Sequence, residues 1–211
     1  MNQLNIFDKP TNLFDKEEAS GKMYSVKNGT YWYYPCFFNS KESNAFFTEL
    51  KNNILWRQES MNIYGKQVNF PRLTAWYGDN NKPYSFSGIT LNPHAWTTPL
   101  LSIKNKIEPK CNVVFNSVLL NLYRNGNDSI SWHTDAEPEL GKNPVIASVN
   151  FGETRVFQLR HIQTKEKIEI ELSHGSLLIM EGELQHFWQH QVPKTSKQVN
   201  ERINLTFRVI R

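Results

Sequence analysis

Cysteine is scarce: Cys36 and Cys111 are the only two in 211 residues, far apart and in no CxxC arrangement. Such a pair builds no disulfide framework, and uncrosslinked thiols suit a reducing interior, cytoplasmic, or nuclear if the source is eukaryotic. Long apolar runs are missing too. None reaches the ~18 residues that a membrane helix needs, and the N-terminus lacks a signal-peptide h-region, so no membrane partner is expected. No period of about 20–50 residues repeats, which excludes a solenoid, and no segment is low in complexity. Neither sign of charge dominates: 24 Lys and Arg against 20 Asp and Glu leave a formal net charge of +4, with a pI near 9.0. Basicity this mild fits an ordinary solvated surface as well as a polyanionic partner.

What is present reads as one folded domain. The length allows a sizeable core, and hydrophobic residues at 39% with charged residues at 21% are ordinary globular values. Residues 1–22 are polar and without a sustained period, an N-terminal arm ahead of a single domain over 23–211. Aromatics reach 13%, with Tyr31-Trp32-Tyr33-Tyr34 and Phe37-Phe38 in dense runs; most belong in a core or an edge strand, and a minority could stack on bases. A helix is expected over Ser40–Leu55, with Ser40 as N-cap, Glu42 and Glu49 exposed, and Phe46, Phe47, Leu50 and Ile54 in one stripe. A second is expected over 97–108 with Leu100, Leu101 and Ile103 turned inward. Residues 56–90 mix short strands with turns such as Tyr77-Gly78-Asp79-Asn80-Asn81. From Asn112 onward short β-rich segments alternate with turns, at 115–123, 145–151, 154–160, 166–172, 176–180, 186–191 and 202–210, the spacing of a sandwich or barrel. The fold class is therefore α+β, mostly β: a barrel or jelly roll buttressed by N-terminal helices.

Two of these strands carry unexpected residues on one face. Along the last, Ile203, Leu205, Phe207 and Val209 alternate with Arg202, Asn204, Thr206 and Arg208. Along 117–123, Val118, Leu120 and Leu122 face one way, Asn121 and Tyr123 the other. A polar face wetted by solvent explains either strand alone. The same arginines, with Asn and Thr between them, also suit a lumen that binds a dicarboxylate, because guanidinium forks match carboxylates bidentately and two anionic ends need two cationic anchors.

His133-Thr134-Asp135 sets an imidazole and a carboxylate on one side of an extended segment. A distal histidine would complete a facial triad of two His and one carboxylate, the geometry of non-haem Fe(II) oxygenases, with open positions for a bidentate co-substrate and O₂. An isolated HxD pair is common on surface loops. His186 and His190 compete for the third position, and His190, in Trp188-Gln189-His190-Gln191-Val192-Pro193, is preferred. His186 is expected to pack or face solvent. His94, His161 and His174 have no evident partner.

Taken together, Asn121-x-Tyr123, His133-x-Asp135, His190 and Arg202-x-Asn204-x-Thr206-x-Arg208 resemble, in order and spacing, the AlkB-like 2-oxoglutarate dioxygenases. The resemblance runs over Asn69–Arg211, through Phe70-Pro71-Arg72, Tyr77-Gly78-Asp79, Tyr84-Ser85-Phe86-Ser87-Gly88, Ala147-Ser148-Val149 and His174-Gly175-Ser176-Leu177-Leu178, and is nearest the members that repair alkylated bases in double-stranded DNA. It implies a double-stranded β-helix over about 112–211, a nucleotide-recognition part over about 56–96, and use of Fe(II), 2-oxoglutarate and O₂ by a monomer. His133, Asp135 and His190 would bind iron. Arg202, helped by Tyr123 and Asn204, would hold the distal carboxylate of 2-oxoglutarate. Arg208 and Asn121 would contact the carboxylate beside the keto group, and Thr206 would line the pocket. Tyr84 and Phe86, with Arg72 and Ser87 nearby, resemble residues around a flipped base, and Ile63-Tyr64-Gly65-Lys66 resembles a hairpin that probes the duplex. The partner would be alkylated DNA, duplex or single-stranded, with RNA a further candidate. One departure stands out: Ala136 follows the metal aspartate where close relatives have an acid, and Glu137 comes next, able to read an exocyclic amine. The implied reaction is oxidative demethylation of N1-methyladenine and N3-methylcytosine, yielding succinate, CO₂ and formaldehyde, with the base extruded from the helix. Rival readings are an RNA- or protein-directed dioxygenase with the same iron site and a non-catalytic nucleic-acid binding module, whose expected broken triad is absent. A zinc hydrolase has no need of paired inward arginines.

Overall fold

A computed structural model describes residues 20–63, 65–79, 84–86, 89–91 and 93–211, with the backbone alone at 63, 84–86 and 89–91. The expected arm falls mostly outside the described residues, and its last position, Lys22, already belongs to strand β1 (Lys22–Val26). That strand pairs with β2 (Gly29–Tyr34), which carries the tyrosine-tryptophan run into the sheet, with Tyr31 and Tyr34 buried.

Helix α1 spans Ser40–Asn53, and its N-cap is Asn39, not Ser40. The reason is local: the Asn39 side chain accepts from Glu42 N at 2.9 Å while the Glu42 carboxylate accepts from Asn39 N at 3.0 Å, a reciprocal capping box that Ser40, with Ser43 three residues on, cannot make. Glu42 is half-buried rather than exposed and also meets Lys106 Nζ at 2.6 Å. Helix α2 spans Thr98–Cys111 and buries Leu100, Ile103, Ile107 and Cys111. Leu101, expected inside, is 40% exposed, because one step along a helix turns about 100° away from an i, i+3, i+7 stripe.

Both helices cover one face of a seven-stranded antiparallel sheet ordered β1-β2-β13-β10-β15-β8-β5. Its members are β5 (Leu73–Gly78), β8 (Ser117–Tyr123), β10 (Ile146–Gly152), β13 (Ser176–Glu181) and β15 (Arg202–Arg208) besides β1 and β2. A four-stranded sheet faces it, ordered β12-β11-β14-β9, from β9 (Ile130–His133), β11 (Arg155–His161), β12 (Lys167–Leu172) and β14 (Trp188–Val192). These two sheets are the walls of the jelly roll. Two hairpins stand apart, β3 (Ser60–Ile63) with β4 (Lys66–Asn69), and β6 (Tyr84–Phe86) with β7 (Ile89–Leu91).

Strand alternation splits the interior in two. Val118, Leu120, Leu122, Ile203, Leu205 and Phe207 join Leu50, Leu100, Ile103 and Ile107 in a core beneath the helices. The opposite faces of the same strands turn into the space between the sheets. Val209, placed on the apolar face of the last strand, follows its end and packs half-buried against that core. Two segments differ from expectation. Strand β9 had no sequence signature, because at four residues the alternation of Ile130 and Trp132 is too short to stand out. The segment 186–191 is divided between a single helical turn, α3 (Leu184–Phe187), and β14.

Candidate active site

Strands β8, β10 and β15 form one wall of a lumen, with Arg202 opposite Tyr123 and Asn204 opposite Asn121 across one ladder and Asn150 across the other. The second wall carries His190, registered against His133 of β9. His133, Asp135 and His190 bring their ligand atoms within 4.8 Å of one another, and the two imidazole centroids are 4.2 Å apart. His133 Nδ1 lies 2.7 Å from the Ser131 carbonyl; donating there, it leaves the Nε2 lone pair toward Asp135 Oδ1, 3.9 Å away.

Asp135 divides its oxygens. Oδ2 accepts from Arg208 Nη2 at 2.6 Å and Nε at 3.1 Å, while Oδ1 is buried with no hydrogen-bond partner among the described residues. Burial alone would raise its pKa; the Arg208 charge, with His190 and His133 beside it, outweighs that and holds the carboxyl at about 2. Burial, then the neighbouring His133, pushes His190 down to about 3; burial also lowers His133. At neutral pH the cluster is thus one carboxylate and two neutral imidazoles, the protonation that a cation needs. Gln185, which sequence reasoning passed over, is 1% exposed and accepts from Asp135 N at 3.0 Å, fixing the backbone beneath the carboxylate.

The far end of the lumen is built around Arg202, 1% exposed. Its Nη2 donates to Asn150 Oδ1 at 2.6 Å and its guanidinium lies 5.0 Å from the Tyr123 ring centroid, yet Nε and Nη1 are buried without hydrogen-bond partners among the described residues. Burial pushes its pKa down, as expected of a cation short of anions. Asn204 Nδ2 donates to Ser148 Oγ at 2.9 Å and Asn150 Oδ1 at 3.2 Å, and its Oδ1 accepts from Asn121 Nδ2 at 3.3 Å and Thr206 Oγ1 at 3.1 Å. Asn121, Tyr123, His133, Asp135, His190, Arg202, Asn204, Thr206 and Arg208 all line this one cavity.

Arg72 is 5% exposed, and its Nε donates to Asn121 Oδ1 at 2.8 Å and its Nη1 to Ser129 O at 3.3 Å. Gly65, at φ +77°, makes the turn of the β3–β4 hairpin, with Lys66 exposed beside it. Tyr64 and Ser87 lie outside the described residues, and for Tyr84 and Phe86 only the strand path is described. Ala136 is exposed; Glu137 is half-buried, with Oε2 enclosed and without a hydrogen-bond partner among the described residues. His186 is exposed and far less constrained than His190, accepting from Asn143 N at 3.4 Å. His161 and His174 do have partners: His161 Nδ1 accepts from Thr164 N at 3.1 Å, and His174 Nδ1 from Gly152 N at 2.8 Å. His94 has its ring 5.3 Å from that of Tyr77.

A family model described as the 2OG-Fe(II) oxygenase superfamily matches residues 30–208. The chain belongs to that superfamily, as an AlkB-like member. Among named AlkB relatives, "Alpha-ketoglutarate-dependent dioxygenase alkB homolog 3" of Bos taurus is 45% identical over 187 residues, 83% of this chain and 64% of the relative. "DNA oxidative demethylase ALKBH2" of Homo sapiens is 36% identical over 188 residues, 84% of this chain and 72% of the relative. The chain thus spans a little under two thirds of the alkB homolog 3 proteins. The structure titled "The structure of OsALKBH1" shares the fold, with a TM-score of 0.61 at 14% identity over 89% of this chain and 100% of that one.

The superfamily's iron and 2-oxoglutarate fit the residues present. Asp135 Oδ1 is an enclosed anionic oxygen lacking a partner, set between two imidazoles. Arg202 offers two unsatisfied donors at the other end of the lumen, where a carboxylate would complete a fork. Unmet polar groups at full burial are costly, and both sets are met by the same two guests.

Proposed function

We propose that the chain is an oxidative demethylase of N-alkylated bases in nucleic acid, acting on N1-methyladenine and N3-methylcytosine in DNA. The observation that carries this reading is the lumen itself: three metal-ligating side chains at one end and an arginine with open donors at the other, in a chain whose relatives include proteins named DNA oxidative demethylases. Iron(II) with 2-oxoglutarate and O₂ supplies the oxidant that hydroxylates an N-alkyl carbon, after which formaldehyde leaves and the base is restored. The chain's own residues do the rest. Arg202 anchors the distal carboxylate, Tyr123 and Asn204 shape its seat, and Arg208 keeps Asp135 ionised. Asn121 and Thr206 complete the polar wall, and Arg72 steadies Asn121 rather than gripping the base. Gly65 and Lys66 lie at the turn of a hairpin suited to entering a duplex at a weakened pair, with Tyr64 next to them in sequence, and Tyr84, Phe86, Ser87 and Glu137 are the candidates for holding the extruded base. The test is to supply the iron- and 2-oxoglutarate-loaded protein with matched duplex DNA, single-stranded DNA and RNA, each bearing one N3-methylcytosine. Demethylation of DNA is the expected result. Succinate formation with every oligomer left methylated would end the repair reading and leave a dioxygenase with another substrate; demethylation of RNA alone would move it to RNA.

A further inference from the structure

The solvent face of the four-stranded sheet carries two rows of side chains that cross the strands. In one, Gln191 Nε2 donates to Gln158 Oε1 at 2.6 Å and Gln158 Nε2 to Glu169 Oε1 at 2.6 Å. The other starts at Arg160 on β11. Its Nη2 donates to Gln189 Oε1 on β14 at 2.8 Å, and its guanidinium carbon sits 4.3 Å from the centroid of the Trp132 ring on β9. Both targets are sequence neighbours of the metal-site histidines: Trp132 precedes His133, and Gln189 precedes His190. Side chains alternate along a strand, so whatever pins Trp132 and Gln189 on the outside pins the backbone from which the two imidazoles project inward.

Main-chain pairing is thin at this point. The ladder between β9 and β14 has two registered pairs, His190 with His133 and Val192 with Ile130, and the register shifts between them. The ladder between β11 and β14 has four. A planar guanidinium can stack on an indole while bonding sideways in its own plane, which an ammonium cannot do. Arg160 therefore reaches from the well-paired strand β11, across β14, onto the weakly paired strand β9.

We infer that Arg160 is a positioning residue for the metal ligands, clamping from outside the two strands that carry His133 and His190. This rests on the reading of the triad as an iron site, and its test uses metal uptake rather than turnover. The full chain is titrated with Co(II), followed by visible absorption. Arg160→Met, which keeps the apolar stem, should weaken Co(II) binding about 10- to 100-fold, the usual cost of a lost supporting contact, and alter the absorption envelope. Its melting temperature should fall no further than that of Glu169→Ala, which breaks the other row and should leave Co(II) affinity unchanged. Trp132→Leu should give a similar loss of affinity, and the double variant should lose no more than the worse single, since both remove one contact. Arg160→Lys should fall between wild type and Arg160→Met. Wild-type affinity and spectrum in Arg160→Met, equal loss in Glu169→Ala, or additive losses in the double variant would each overturn the clamp. If Arg160→Met does not fold, wild-type affinity in Arg160→Lys does so instead. A wild-type chain that takes up no Co(II) overturns the metal site and the clamp together, a result distinct from any of these.

Discussion

Asp135 shows how one residue can hold two roles that substitution separates. Removing either imidazole empties a ligand position in a lumen that stays closed on its other sides, so His133→Ala and His190→Ala should abolish turnover and metal uptake with little loss of melting temperature. Asp135→Ala does more, because it removes the carboxylate that accepts two bonds from the Arg208 guanidinium, itself 5% exposed. Losing one partner of a buried pair costs roughly 3–5 kcal/mol, so this variant should also melt several degrees lower, with Asp135→Asn in between; calorimetry of the metal-free proteins checks the order. His186→Ala should change neither binding nor melting, and if it alone removes metal uptake the ligand set is wrong. At the far end of the lumen, Arg202→Ala should weaken 2-oxoglutarate binding by roughly 2–5 kcal/mol, the value of a charge-assisted fork in a desolvated pocket. Calorimetric titration with a redox-inert metal in place reads that directly, and an unchanged affinity would remove Arg202 from the site.

At the scale of elements, the interior faces were legible and the contacts beneath them were not. Period-two alternation in Arg202–Arg208 and in Ser117–Tyr123 separates a polar from an apolar face in the sequence, but either polar face alone could meet solvent, and it is the metal triad between the two strands that points to a lumen. Strand β9 was invisible, since four residues around a functional histidine give no period. The bond of Arg72 to Asn121 was not legible either, because it needs the pairing of β5 with β8 to exist first. The capping box of α1 is a local device with a local cost. Asn39→Ala should destabilise the protein by about 1 kcal/mol, a fall of roughly 2–4 °C in melting temperature for a chain of this size. A pH effect belongs to the junction of α1 with β10. His174 Nδ1 accepts from Gly152 N, its Nε2 lies 3.2 Å from Asn44 Oδ1, and burial holds its pKa below the ordinary value. Between the lowered pKa and the unfolded value of about 6.5 the unfolded chain binds more protons, so stability rises with pH and is lost as pH falls through that window. Melting curves at mildly acid and neutral pH should therefore converge in His174→Gln relative to wild type.

On the proposed function, the whole molecule would have to bring a buried lumen to a base that begins inside a helix, and its charge is modest for that task. A net charge of +4 spread over the surface attracts a polyanion weakly; affinity should come from a local set of phosphate contacts near the lumen mouth. Binding to single-stranded and duplex oligomers should then fall linearly on a log–log plot against salt, with a slope set by the number of phosphates neutralised, and each contacting lysine replaced by alanine should reduce that slope by about 1. The β3–β4 hairpin makes the more specific prediction. It forms a two-stranded sheet of its own, and β4 is exposed along its whole length, so its tip can be altered without disturbing the lumen. Tyr64 precedes the Gly65 turn and has a ring large enough to fill the space of an extruded base, which would offset part of the few kcal/mol lost on unstacking. A single strand has no partner stack to fill. Tyr64→Ala should therefore slow demethylation of an N3-methylcytosine duplex by about 10-fold or more, roughly the 1–3 kcal/mol of one base–aromatic stack, while single-stranded rates stay near wild type. Paired rate measurements on the same lesion in both contexts check this, and an equal loss on both substrates would move Tyr64 from the duplex to the base itself.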